Sequence, residues 1–182
     1  MPLSSSNAPH RLSPRPSQCG LEAFLDHYGD VFEHSPWVAR HAWESGLDAT
    51  HDDPSVLAEK MGQALREATP EEQLAVIRAH PDLAGKAALA GDLTASSKSE
   101  QAGAGLDQCT PEEYTRFEAL NDAYRETFGF PFVIAVKGLD RHAILDAFAA
   151  RLDNAPAVER ATAIEQIVCI ARFRLIAMSE RD

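Results

Sequence analysis

Two copies of one tetrapeptide, Thr69-Pro70-Glu71-Glu72 and Thr110-Pro111-Glu112-Glu113, constrain this chain more than any other feature. Each copy joins three helix-start signals. The threonine hydroxyl can take a free backbone N–H, the proline loses nothing by lacking its own N–H in the first turn, and the second glutamate can reach back to the cap. Apolar residues follow at helical spacing: Leu74 and Ile77 after the first copy, Tyr114, Phe117, Leu120 and Tyr124 after the second. The same stripe runs through Leu21, Phe24, Leu25 and Tyr28, and through Val56, Leu57, Met61, Ala64 and Leu65. The first capped helix should stop at His80, because Pro81 disfavours helical backbone before it. The second ends near Phe128-Gly129. Asp140 is placed to cap a helix reaching Leu152, and Pro156 to open a last one toward Met178. The chain reads as all-α, a single-domain multi-helix bundle.

One stretch departs from this pattern. Phe130-Pro131-Phe132-Val133-Ile134-Ala135-Val136-Lys137-Gly138 is apolar and β-branched, a buried strand on propensity alone. No second strand of comparable quality exists to pair with it. The expectation is one extended apolar segment near 130–137 whose N–H and C=O groups need other partners, a ligand among them. Residues 1–18 differ again: prolines and serines without apolar periodicity predict a disordered tail, followed by a helical domain over 19–182.

Composition removes several classes of function. Lys and Arg number 17 against 28 Asp and Glu, a formal charge of −11, which argues against a general nucleic-acid binder. No apolar run approaches the ~20 residues of a membrane helix. No secretory or peroxisomal signal is evident, so the cytoplasm is the default expectation. Cys19, Cys109 and Cys169 form no paired motif and read as free thiols in a reducing compartment.

Common catalytic motifs are missing: no H-E-x-x-H, no phosphate-binding glycine loop, no G-x-S-x-G. The seven histidines are scattered, so no metal site is expected. Three candidates for chemistry stand out. His80 closes a helix before Pro81-Asp82-Leu83-Ala84-Gly85, and imidazole titrates near neutrality; the plainer reading is a helix-dipole partner. Ser96-Ser97-Lys98-Ser99-Glu100-Gln101 looks like a helix N-terminus with free N–H groups, yet Ser97-x-x-Glu100 also reads as a capping box that would use Glu100 structurally. On the last helix, Ile164, Ile167, Val168, Ala171, Leu175 and Met178 share a face. At ~100° per residue both Arg172 and Arg174 flank it, and periodicity does not choose between them.

Six segments, in order, carry a family likeness: Phe32-Glu33-His34-Ser35-Pro36-Trp37-Val38-Ala39, His80-Pro81-Asp82-Leu83-Ala84-Gly85, Ser99-Glu100-Gln101-Ala102-Gly103, Leu120-Asn121-x-Ala123-Tyr124, Phe128-Gly129-Phe130-Pro131-Phe132 and Ile170-Ala171-x-x-Arg174-Leu175. This set resembles the 2-oxo-4-hydroxy-4-carboxy-5-ureidoimidazoline (OHCU) decarboxylases of urate degradation, over roughly residues 20–178. The resemblance implies an all-helical, cytosolic homodimer without metal or organic cofactor that yields (S)-allantoin and CO2. It implies His80, Glu100 and Arg174 as catalytic residues. It implies substrate contacts at Pro81, at Ser97, Lys98, Ser99 and Gln101, and at Phe132, Val133, Ile134, Ala135 and Val136. Cys169 departs from the polar or basic residue the family pattern suggests. The competing expectations are a catalytically silent module that binds a ureide or a partner enzyme, and a helical regulatory domain whose acidic surface steers basic partners.

Overall fold

The computed structural model describes residues 10–181, apart from the side chains of residues 86 and 87. Among these residues there is no strand, and nine α-helices follow one another: α1 Leu21–Tyr28, α2 Pro36–Glu44, α3 Pro54–Arg66, α4 Pro70–Arg78, α5 Lys86–Ala90, α6 Ala95–Gly103, α7 Pro111–Phe128, α8 Arg141–Arg151 and α9 Pro156–Ser179. None of them is long and apolar enough to cross a membrane.

Both Thr-Pro-Glu-Glu copies open helices, but they cap differently. At α4 the box closes: Glu72 N donates to Thr69 Oγ1 at 3.2 Å, and Thr69 N donates to Glu72 Oε2 at 2.9 Å. At α7 the Glu113 N–H donates to Thr110 Oγ1, but the Glu113 carboxylate turns to Arg141 at the start of α8. A charge-assisted bond outcompetes a neutral N–H for the same oxygen. Asp140 caps α8 through Ala143 N at 2.8 Å, and α7 ends on Gly129 at a left-handed φ of 77°.

The long helix α9 is the axis of the core. It lies along α3 and also touches α4 and α7, while α2 packs on α3 and α1 on α2. The approach of α3 to α9 is close because Gly62 has no side chain; a Cβ there would sit 2.9 Å from Val168 Cγ1. Leu57, Met61 and Leu65 of α3 are fully buried, whereas Val56 is 39% exposed, so the apolar stripe is narrower than its sequence suggests.

The extended segment found in the sequence is neither helix nor strand over 131–136. Its backbone is held by side chains. Val133 O accepts from Arg151 Nη1 at 2.7 Å, and Ala135 N donates to Gln166 Oε1 at 2.9 Å. Phe132 stacks on Phe148 with centroids 3.9 Å apart, and the Arg151 guanidinium lies 4.4 Å from the Phe132 ring centre.

The disorder expected over 1–18 does not extend to 10–18. Leu12 is 1% exposed and its N–H donates to Asp52 O at 2.8 Å. Ser17 donates from both N and Oγ to the Asp52 carboxylate at 2.9 Å. One buried leucine and one buried carboxylate anchor a stretch whose composition alone predicts no core. Residues 1–9 lie outside the described residues.

Candidate active site

His80 sits just past the end of α4, where Pro81 turns the chain away. It is 7% exposed, and its Nδ1 lies 2.9 Å from Val76 O. A carbonyl only accepts, so Nδ1 carries the proton and the neutral ring keeps a lone pair on Nε2. Burial pushes the imidazole below its usual pKa, with Arg174 and His34 acting the same way; the Val76 carbonyl and Glu33 oppose them. A dipole partner would be a charged, solvated imidazolium. This one is buried and held toward neutrality.

Arg174 projects inward from α9 and is 9% exposed, while the Arg172 side chain is 40% exposed and lies 3.8 Å from Glu59. The choice that periodicity left open falls on Arg174. Its fork is closed on Glu100: Nε donates to Oε1 at 2.7 Å and Nη2 to Oε2 at 3.0 Å. Nη1 donates to Val31 O at 3.3 Å and lies 2.8 Å from Glu33 Oε2. Burial alone would lower the Arg174 pKa, but the two carboxylates raise it.

The helix carrying Glu100 starts earlier than the serine run suggests. Thr94 caps α6 by accepting from Ser97 N, so the expected Ser97–Glu100 capping box does not form. Ser97 Oγ instead donates to Glu33 Oε1 at 2.8 Å, which leaves Glu100 to Arg174. Gln101 is buried and braces the loop after His80: its Oε1 accepts from Ala84 N at 3.1 Å and its Nε2 donates to Asp82 O at 3.3 Å. Asn121 adds a bond to Leu83 O at 3.1 Å. Ala84 needs that support, because its φ of 48° is costly for a residue with a Cβ.

Two cavities meet at this cluster. An inner one of about 30 Å³ is lined by His80, Pro81, Ser97, Glu100, Gln101 and Arg174, with Phe132, Val133, Ile134 and Val136 of the extended segment as its far wall. An outer cleft of about 600 Å³ is lined by Ser99, Ala135, Lys137, Phe173 and Arg181 among others. Glu100, Val136, Ile170 and Arg174 face both. The His80 imidazole lines the smaller cavity and not the larger one. The expected contacts therefore split: Ser99 and Ala135 face the outer cleft, and Lys98 is exposed and lines neither cavity.

Glu33 was not among the candidates from sequence, although Phe32-Glu33-His34 marks its place. It is 2% exposed and accepts from Thr94 Oγ1 at 2.7 Å as well as from Ser97. Burial would raise its pKa, but the two hydroxyls and the Arg174 charge hold it below the usual carboxylate range. Among the described residues no group of three or more His, Cys, Asp or Glu is arranged to hold a metal.

The family model described as OHCU decarboxylase matches residues 17–176. The chain is 39% identical over 159 residues to a 2-oxo-4-hydroxy-4-carboxy-5-ureidoimidazoline decarboxylase of Halalkalicoccus jeotgali, covering 87% of this chain and 86% of that one. It is 38% identical over 154 residues to the protein of the same name from Amia calva, with 85% and 86% covered. Among solved structures, an (S)-allantoin synthase superposes with a TM-score of 0.70 at 27% identity; the match spans 90% of this chain and about half (52%) of that one. An OHCU decarboxylase crystallised in the presence of (S)-allantoin superposes at 0.67 over 85% of this chain and 98% of its own, and at 20% identity it speaks for the fold. The chain belongs to the OHCU decarboxylase family, and it is an enzyme of the decarboxylase class.

Proposed function

We propose that the protein converts 2-oxo-4-hydroxy-4-carboxy-5-ureidoimidazoline to (S)-allantoin and CO2, with His80, Glu100 and Arg174 as its catalytic residues. The substrate carries a hydroxyl and a carboxylate on one ring carbon and a ureido arm on its neighbour. When the carbon–carboxylate bond breaks, its electron pair moves toward the adjacent ring C=N, so the molecule is its own electron sink. A proton added at the ureido-bearing carbon creates the stereocentre, and loss of the hydroxyl proton gives the carbonyl. The ring nitrogen that received the electron pair takes up one proton from water, so the carboxylate plus one proton becomes (S)-allantoin and CO2. The enzyme's work is to fix the pose, balance the moving charge and deliver the proton to one face.

In this reading His80 moves the proton. Its Nδ1–H is held by Val76 O, so the neutral Nε2 accepts the hydroxyl proton and can return it, a role worth ~10²–10⁴-fold. Glu100 receives the ring or ureido N–H groups. Arg174, its fork already taken by Glu100, sets that carboxylate in place and keeps a positive charge at the cavity wall. Gln101 acts through the loop it braces, and the backbone of Phe132 to Val136 reads the polar edge of the ring. The smaller cavity, about 30 Å³, adjoins the roomier cleft through Glu100, Val136, Ile170 and Arg174, so the substrate has space to extend from one into the other.

The observation that carries this reading is that His80, Glu100 and Arg174, far apart in sequence, line one cavity beside the extended segment. A silent binding module has no need of a buried, neutral imidazole beside a carboxylate–guanidinium pair. The cytoplasmic homodimer implied by the resemblance is part of the same proposal, and sedimentation equilibrium checks the dimer. The decisive assay couples the protein to enzymatic urate oxidation and follows circular dichroism. A rising (S)-allantoin signal is expected; a trace identical to that without protein, where the substrate decays to racemate, overturns the proposal.

A further inference from the structure

Glu33 is the charged group closest to this machinery to which neither the family likeness nor the mechanism above gives a task. It stands in the turn between the 3-10 turn Gly29–Val31 and α2, and the next residue, His34, adopts a φ of 49°. A left-handed backbone at a residue with a Cβ costs of order 1–3 kcal/mol and persists only where surrounding contacts impose it. Here the contacts converge on the Glu33 carboxylate. Oε1 takes the hydroxyls of Thr94 and Ser97, the cap and first turn of α6. Oε2 is buried in an ion pair 2.8 Å from Arg174 Nη1, and no other group donates to it. A carboxylate this deep (2% exposed) is expensive unless fully paired.

We propose that Glu33 is a positioning residue of the decarboxylation site: its carboxylate grips Arg174 opposite Glu100 and ties the start of α6 to it, so that Glu100 meets the His80 cavity in one orientation. This rests on the decarboxylation reading above. Two carboxylates then flank one guanidinium, and the cluster carries a net negative charge next to the imidazole. The charged and titratable groups that face His80 are Glu33 and His34 from the turn before α2, Glu100 from α6 and Arg174 from α9. Burial, Arg174 and His34 disfavour the imidazolium, and Glu33 favours it. Glu33 keeps the ring able to take up a proton during turnover.

The test is Glu33→Gln, which preserves size and the acceptor for Thr94 and Ser97 but removes the charge. Two readouts are taken: kcat in the coupled assay, and the His80 ring titration followed by NMR in the absence of substrate. The expected result is a fall in kcat of at least about tenfold, with KM changed less, and a His80 titration moved to lower pH. Glu33→Asp keeps the charge but shortens the arm, so the titration should stay near that of wild type while kcat still falls. A folded Glu33→Gln protein with wild-type kcat, or with an unmoved His80 titration, overturns the proposal. If Glu33→Gln does not fold, Glu33→Asp decides alone, and wild-type kcat in that variant overturns it. The titration needs no turnover, so a wild-type protein inactive in the coupled assay would remove the decarboxylation reading without deciding the Glu33 linkage.

Discussion

Among the described residues two arginine–glutamate clusters are buried, and they are built on opposite terms. In the first, Glu159 of α9 is inaccessible to solvent and every contact is satisfied. Arg151 Nη2 donates at 2.9 Å, Asn154 Nδ2 at 2.9 Å, and the Tyr124 hydroxyl completes the set. Neither of the two cavities described above is lined by Glu159. In the second, one guanidinium serves two carboxylates, Glu33 Oε2 has no partner besides that guanidinium, the Glu100 side chain is 32% exposed, and a buried histidine shares the space. A closed cluster is what a fold needs from buried charge, since an unpaired member is heavily penalised. An open one leaves interactions unmade until something enters. The difference sets a cluster closed within the fold apart from one left open beside a cavity.

Removing the imidazole beside the open cluster should therefore abolish activity and spare stability. His80→Ala is expected to lose ~10²–10⁴-fold in stereospecific product formation by circular dichroism, with little change in the urea midpoint. Breaking the closed cluster should do the reverse. Glu159→Ala strands Arg151 and is expected to cost ~3–5 kcal/mol in urea unfolding, while kcat per folded molecule holds. The pH dependence gives a second view of this cluster. Burial would raise the Glu159 pKa, but its bonds to Arg151, Tyr124 and Asn154 hold it below the usual value. Its contribution to stability is thus complete above the unfolded glutamate pKa of ~4.3 and is lost as pH falls through the folded value. Glu159→Ala should flatten that acid limb.

How much of this was legible in the sequence follows from which signals are local. Helix starts are local: Thr69, Thr110, Asp140 and Pro156 announce them, and the structure agrees. Side-chain choices made across the fold are not. Glu113 leaves its box for Arg141 on another helix, and Ser97 leaves Glu100 for Glu33, far away in sequence. Leu12 and Asp52 meet across a gap that composition ignores. The extended segment was visible as an anomaly, but its bracing by Arg151 and Gln166 was not. Local pattern raised His80, Glu100 and the Arg172–Arg174 pair as candidates beside plainer structural readings; resemblance then joined His80, Glu100 and Arg174 into one set, where periodicity had left Arg172 equal to Arg174.

Smaller changes sharpen the same contrast. Arg174→Lys keeps the charge and loses the fork, so a charge-assisted bond worth ~1.5–3 kcal/mol is forfeited, about ten- to a hundredfold in kcat/KM. Arg172→Ala is the smallest. Its exposed contact with Glu59 is worth ~0–1 kcal/mol, and steady-state kinetics should not move. A larger loss from Arg172→Ala than from Arg174→Lys would reverse the assignment of the two side chains.

The partition between the two chambers has a practical corollary for inhibitor design. Glu100, Val136, Ile170 and Arg174 present one surface to the 30 Å³ cavity and another to the 600 Å³ cleft. A compound anchored in the roomy cleft beside Phe173 and Lys137 would lie against the Glu100–Arg174 pair from outside the smaller cavity, and so could reach that pair without imitating the unstable substrate.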